Sequence, residues 1–258
     1  NQRINLDNQR HVGGVAFRQD EATFDAVTVV NQSVDNLTVI AGFADNKNSI
    51  TNTNDEMDIS ILNLKYVVSP ELAATTFYYG VEFPTGETLN TLGLRAVGTA
   101  AGINYEAEVA SQEESSADTS ALYYNLSAAK KIASVTAKLG LEVFGSDGGD
   151  ASFKTPLGTN HKFLGWSDSY LQAKDDNGLQ DLNLSVVTKV SGVKLVAQVH
   201  KFDSVEGSDD MGTEIGFLAG KKFGDYGASV KVAQFSAGDD DVSAVDATKL
   251  WLTGTAKF

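Results

Sequence analysis

Ten basic side chains recur at polar positions of stretches that alternate apolar with polar residues. They are Lys65, Arg95, Lys131, Lys138, Lys189, Lys194, Lys222, Lys231, Lys249 and Lys257. The acids on the same faces are fewer: Glu82, Glu106, Glu108 and Glu142. This local excess of base opposes the whole chain, whose formal net charge is −14 over 258 residues. The negative charge must therefore collect between the stretches, in Asp147 with Asp150, Asp175-Asp176, Asp209-Asp210 and Asp239-Asp240-Asp241. A basic wall in a narrow, low-dielectric channel focuses field and concentrates anions. Two readings of these residues stay open. They line a pore that favours anionic solutes, or they are solvated lysines paired with acids on neighbouring strands.

Other chemistry is poorly provided for. Zero cysteine removes disulfides, zinc thiolates and thiol nucleophiles. The three histidines are His11, His161 and His200, and no G-x-S-x-G elbow accompanies them. A serine–histidine–aspartate constellation is not recognisable, so the expectation is a protein that is not an enzyme and needs no cofactor. The loop Gly145-Ser146-Asp147-Gly148-Gly149-Asp150 offers oxygens for Ca²⁺, but no loop has the spaced ligands of an EF-hand. Solvated surface loops, bridged to lipopolysaccharide phosphates by divalent ions, are the preferred reading, and no metal site is expected. The acidic balance argues against nucleic acid as a partner.

The elements that carry these residues have a period of two. In Lys249–Phe258, Leu250, Leu252, Ala256 and Phe258 share one face, and Lys249, Thr253, Thr255 and Lys257 share the other. The pattern predicts thirteen strands at 23–32, 37–46, 58–68, 74–83, 90–99, 103–112, 120–131, 135–144, 180–190, 193–203, 213–223, 226–236 and 247–258. Residues 9–19 are a weaker candidate for a fourteenth. No run of about 18 apolar residues exists, whereas a barrel strand crosses a bilayer in about 9–11 residues. The mean hydropathy of −0.15 is compatible with that. The links alternate strictly between short and long, as in an up-and-down barrel with tight periplasmic turns and longer extracellular loops. The terminal Phe258 then belongs at the periplasmic rim. Leu122, Leu126, Leu139, Leu182, Leu184 and Leu195 are expected to meet lipid, and Phe77, Tyr79, Phe83, Tyr105, Phe217 and Phe223 to form interfacial girdles.

The connection 145–179 exceeds the about 12–15 residues beyond which loops are often functional. His161, Lys162 and Trp166 are its constriction candidates. They suit an acidic sugar, by charge pairing and an aromatic face. The simpler reading, that Trp166 and Phe163 anchor the loop and His161 is a polar partner, is preferred.

Two stretches carry a family resemblance: Gln2-Arg3-Ile4-Asn5-Leu6-Asp7-Asn8-Gln9-Arg10 with Thr23-Phe24-Asp25-Ala26, and Phe153-Lys154-Thr155-Pro156-Leu157-Gly158-Thr159-Asn160-His161-Lys162-Phe163-Leu164-Gly165-Trp166-Ser167-Asp168. They resemble the alginate-export family of outer-membrane barrels, in its wider porin-like branch. The resemblance implies an all-β, transmembrane, antiparallel up-and-down barrel of eighteen strands, of which this chain would be a C-terminal portion. A fourteen-strand barrel is the rival. It also implies that residues 1–22 form an extracellular mouth segment, and that Arg3, Arg10 and Arg18 are mouth or lumen arginines. The expected function is a bacterial outer-membrane porin passing anionic solutes or anionic polysaccharide. The alternative is a plugged, structural or adhesive barrel with acidic surface loops. The lysine-weighted faces depart from the denser arginine lining of alginate exporters, which favours a generic anion-selective porin. Lipid and lipopolysaccharide are the expected surroundings, and periplasmic partners stay unknown.

Overall fold

The computed structural model describes residues 1–17, 20–116, 118–170, 175–238 and 245–257. Thirteen strands follow in chain order: β1 Thr23–Asn31, β2 Leu37–Asn48, β3 Asn54–Ser69, β4 Leu72–Glu82, β5 Thr88–Ala100, β6 Ile103–Glu114, β7 Thr119–Ile132, β8 Val135–Phe144, β9 Leu179–Val190, β10 Val193–Asp203, β11 Asp210–Phe223, β12 Tyr226–Ala237 and β13 Ala247–Ala256. Each pairs antiparallel with its sequence neighbours, in one sheet ordered β1 to β13. The fold is all-β and up-and-down. Among the described residues β1 and β13 do not pair, so the sheet is not closed. Residues 9–17 form no strand, which leaves the fourteen-strand count without its first member. Arg18, Phe258 and Asp239-Asp240-Asp241 lie outside the described residues.

Turn chemistry sets the loop alternation. Five two-residue turns and the link 32–36 close one end of the sheet. Ala101-Gly102 and Ser191-Gly192 have positive φ at both positions, the geometry that matches strand twist in a hairpin. The opposite end carries the links 49–53, 83–87, 115–118, 145–178, 204–209 and 238–246. Strands of 9 to 16 residues are long enough to span a hydrocarbon layer of about 30 Å when tilted.

The outer face keeps a belt of exposed apolar side chains, among them Leu92, Leu122, Leu126, Leu139, Leu182, Phe217, Leu250 and Leu252. So much contiguous apolar surface marks a lipid or protein contact, not a water-facing wall. Phe217 and Phe223 lie on the outside as expected. Phe77 and Tyr79 do not: they are buried on the inner face, stacked on one another, and form no girdle. Glu82 follows Val81, which faces inward, so Glu82 points away from the basic faces.

The inner face has a core of its own. Ile59, Ile61, Phe77, Tyr79, Tyr123 and Phe144 from the strands pack against Ile4, Leu6 and Val12 from the chain's first segment and Phe153, Leu157 and Leu164 from 145–178. Phe77 lies directly over Gly93, its register partner on β5, and a Cβ added there would stand 2.2 Å from Phe77 Cζ. Gly93→Ala is therefore expected to lower stability by about 1–3 kcal/mol through overpacking. A thermal unfolding midpoint in detergent checks this, and an unchanged midpoint would mean the ring moves freely.

Candidate functional site

Two inserted segments divide the inner face into a filled half and an open half. Residues 1–17 and 145–178 are tied to each other by backbone bonds, Gly13 N to Leu157 O at 2.9 Å and Thr159 N to Gln9 O at 2.9 Å. The loop is also tied to the wall. Lys47 Nζ donates to Pro156 O at 2.6 Å, and Gln112 both donates to Lys154 O and accepts from its N–H.

Charges that enter the filled half are neutralised there. Arg10 is fully buried and donates through Nε to Glu142 at 2.6 Å. Its Nη1 donates to Thr159 O and Asn160 Oδ1, and its plane lies between Phe144 and Phe163. Tyr123 donates its hydroxyl to the same Glu142 oxygen at 2.6 Å. His11 Nε2 meets Glu108 at 2.5 Å. Arg95 sits among Glu106, Glu108 and Asp7 at 3.3, 3.3 and 3.8 Å. Asp7 in turn accepts from Asn63 and Thr75. A burial this complete is tolerated because each carboxylate is matched to a cation or a neutral donor.

The loop's far side is fastened to β11–β13. Glu214, fully buried, accepts from Trp166 N at 2.5 Å and Ser167 N at 2.8 Å. Lys231 is buried too, with its ammonium 3.8 Å from the Phe17 ring, 4.3 Å from Trp251 and 5.2 Å from Trp166. It donates to His161 Nε2 at 2.9 Å, and His161 Nδ1 meets Asp168. Three aromatic faces and one imidazole nitrogen surround the ammonium.

The open half is different. Lys131, Lys138, Lys189, Lys194 and Lys222 occupy inner positions of β7–β11, are solvent-exposed, and form no ion pair among the described residues. Lys65 is likewise exposed, on β3. Lys249, on β13, is half-exposed and 3.8 Å from Asp168.

Of the residues singled out from the sequence, the structure therefore leaves one group to solvent and draws another into anchors. Arg3 is exposed and paired with Glu21 at 2.6 Å, away from the inner face's lysines. Arg10, Arg95 and Lys231 are bound inside protein, where they are not accessible as a free basic lining. His161 and Trp166 both contact Lys231 of β12, and the amide of Trp166 donates to Glu214 of β11. Lys162 reaches across to Asn8 O at 2.8 Å. Partial burial lowers its ammonium from the ordinary lysine value, against the pull of Glu106. Asp7, His11, Phe17, Tyr123, Asp168 and Glu214 complete the anchors and were not marked as such by sequence. Glu214 carried the one usable signal, an acid at an inner position of a strand.

His200 meets Asp181 at 2.9 Å, and among the described residues no serine or threonine hydroxyl bonds to any of the three imidazoles. No group of three or more histidine, aspartate or glutamate side chains there is placed to hold a metal ion.

No protein-family model matches the chain, and no curated protein matches it. The resemblance to the alginate-export family thus finds no support. Solved structures do match. OccK5 (OpdH) of Pseudomonas aeruginosa aligns with a TM-score of 0.71 at 14% identity, covering 99% of this chain and 76% of that one. OccK10 (OpdN) of the same organism gives 0.70 at 15%, over 99% and 78%. The P. aeruginosa outer membrane protein OpdK gives 0.71 at 10%, over 92% and 70%. The chain spans about three quarters of these structures' length. Its fold is theirs: an all-β, antiparallel, up-and-down sheet of the outer-membrane barrel type.

Proposed function

We propose that the chain forms the wall of a bacterial outer-membrane channel that passes small anionic solutes. One observation carries the reading. Inner-face acids of the filled half are held by Arg10, His11 and Arg95, while Lys131, Lys138, Lys189, Lys194 and Lys222 on the inner positions of β7–β11 are exposed and form no ion pair among the described residues. A lumen so sorted presents a positive path beside a neutralised partition. The exposed apolar belt supports a bilayer setting, and the likeness to an outer membrane protein supports the same setting. The two inserted segments narrow the lumen, which favours small solutes over a polysaccharide. No catalytic step is part of this reading.

The inserted segments also favour a second reading, a plugged barrel with a structural or adhesive role. Conductance separates the two. In planar bilayers under a KCl gradient, the anion channel shows a reversal potential of anion-selective sign. Lys138→Glu changes the wall by two unit charges, at about 1 kcal/mol each at contact distance in a water-like medium, and is expected to lower the anion permeability up to roughly thirtyfold and the anion-to-cation ratio with it. No conductance from the protein would favour the plug, and conductance indifferent to Lys138→Glu would remove the lysines from the path.

A further inference from the structure

We propose that the short-turn end of the inner face holds a binding site for small solutes carrying two or more anionic groups, formed where Lys131, Lys189, Lys194 and Lys222 converge on one trough. The proposal rests on reading the inner face as a water-filled lumen. It adds a place and a ligand class to that reading.

The trough has a volume of about 760 Å³, and no aspartate or glutamate lines it. That is the size of a small-molecule site, about 300–1,000 Å³. Its floor is set by strand register. Lys189 and Lys194 are directly opposite one another in the β9–β10 pair. Lys194 is in turn opposite Gly220, and Lys222 is opposite Gly227. The two glycines contribute no side chain between the ammonium groups, so the lysines surround space instead of packing against neighbours. Lys131 enters from β7 opposite Thr136, and Ser229, Thr253 and Thr255 add hydroxyls from β12 and β13.

Like charges directly opposite across two strands destabilise a sheet. Elsewhere on this inner face buried cations are compensated: Arg10 by Glu142, Arg95 by three carboxylates, Lys231 by aromatic rings and an imidazole. These four lysines, and Lys221 which also lines the trough, form no ion pair with a carboxylate among the described residues. Anions from solution would supply that compensation. Opposed Cβ atoms stand about 4.5–5.5 Å apart, and each flexible stem can carry its ammonium to a separate anionic group of one small molecule, so a solute with two such groups gains a second pairing that a monovalent ion lacks. Lysine suits this role as a mobile point charge with three rotatable donors. Polycarboxylates and polyphosphates share that chemistry.

Isothermal titration calorimetry of the full-length protein in detergent, at low ionic strength, tests the site. Citrate and tripolyphosphate are the probes for the two sources, and acetate is the monovalent reference. Saturable binding of at least one probe, tenfold or more tighter than acetate, is expected. Lys189→Gln combined with Lys194→Gln should weaken it at least tenfold, and Lys131→Gln alone should weaken it severalfold. Lys130→Gln, on the outer face of the same strand, should change it less than twofold. Equal binding by the double variant, or by acetate, overturns the site. Gln keeps the stem of an exposed lysine, and the single Lys131→Gln variant carries the test if the double variant does not fold. Conductance read in parallel keeps the two proposals apart. Lost binding preference with conductance retained sinks only the site, and probe binding without conductance sinks only the channel.

Discussion

Methionine at position 10 is expected to destabilise the protein by about 3–5 kcal/mol and to release the first segment from the inner face. The magnitude is that of breaking a buried ion pair by removing one partner. Glu142 is 4% exposed and would keep only the Tyr123 hydroxyl. Asn160 Oδ1 and Thr159 O would lose the donor that joins them to the same guanidinium. Lysine should recover less than half of the loss. It can meet Glu142 but lacks the fork that serves the loop carbonyl and amide together, and it lacks the flat face held between Phe144 and Phe163. Arg10→Met combined with Glu142→Met should be less costly than Arg10→Met alone, because no buried charge is left over. The readouts are the unfolding midpoint and limited proteolysis within residues 1–17. A channel reading adds a third: conductance should rise or become noisy as the partition loosens. If the midpoint and the proteolytic pattern both stay at wild-type values, Arg10 is not the clamp.

The strand count and the loop alternation were legible because both follow from short-range rules. A period of two needs only adjacent residues, and hairpin turns announce themselves through pairs such as Ser191-Gly192. What sequence did not show was the inside of the sheet. Alternation distinguishes two faces but does not say which one water fills. In β3–β8 the inner face also carries large apolar side chains, since Ile61, Phe77 and Tyr123 meet the inserted segments. Phe77 and Tyr79 therefore read like girdle aromatics. Arg10 read like a lumen cation because its partners, Glu142 and Asn160, lie more than a hundred residues away. Lysines of β7–β11 were placed on the right face because no inserted segment contradicts the simple rule of polar in, apolar out. Loop length marked 145–179 as a segment of interest, but the contact of His161 with Lys231 was not legible: a buried ammonium held by rings has no sequence signature.

Glutamine at position 214 is expected to loosen the 145–178 loop without removing it. Glu214 offers both carboxylate oxygens to two successive amides, Trp166 N and Ser167 N, and Gln198 approaches at 3.4 Å. Gly165, just ahead of them, has φ +78°, and a Cβ there would stand 2.5 Å from Glu214 Oε2. Left-handed glycine followed by two converging N–H groups is an anion-binding concavity, here filled by the protein's own carboxylate. A carboxamide presents one acceptor and turns an NH₂ toward the other amide. One buried donor then goes unsatisfied, at about 1–3 kcal/mol, and a charge-assisted bond of about 1.5–3 kcal/mol is lost. Gly165→Ala should cost at least as much by a different route, since it meets both the φ penalty and the contact with Glu214. Trp166 packs on Gly216, where an added Cβ would lie 2.8 Å from its ring, so a loosened backbone carries the indole away from the wall. Single-channel recordings of Glu214→Gln then show what the loop does. Larger or fluctuating conductance with unchanged anion preference makes the loop a steric partition, with selectivity set by the wall lysines. A change in preference assigns part of the selectivity to Lys162 and its neighbours on the loop. Recordings and midpoints identical to wild type would mean that Lys231 and its aromatic rings hold the loop without help from Glu214.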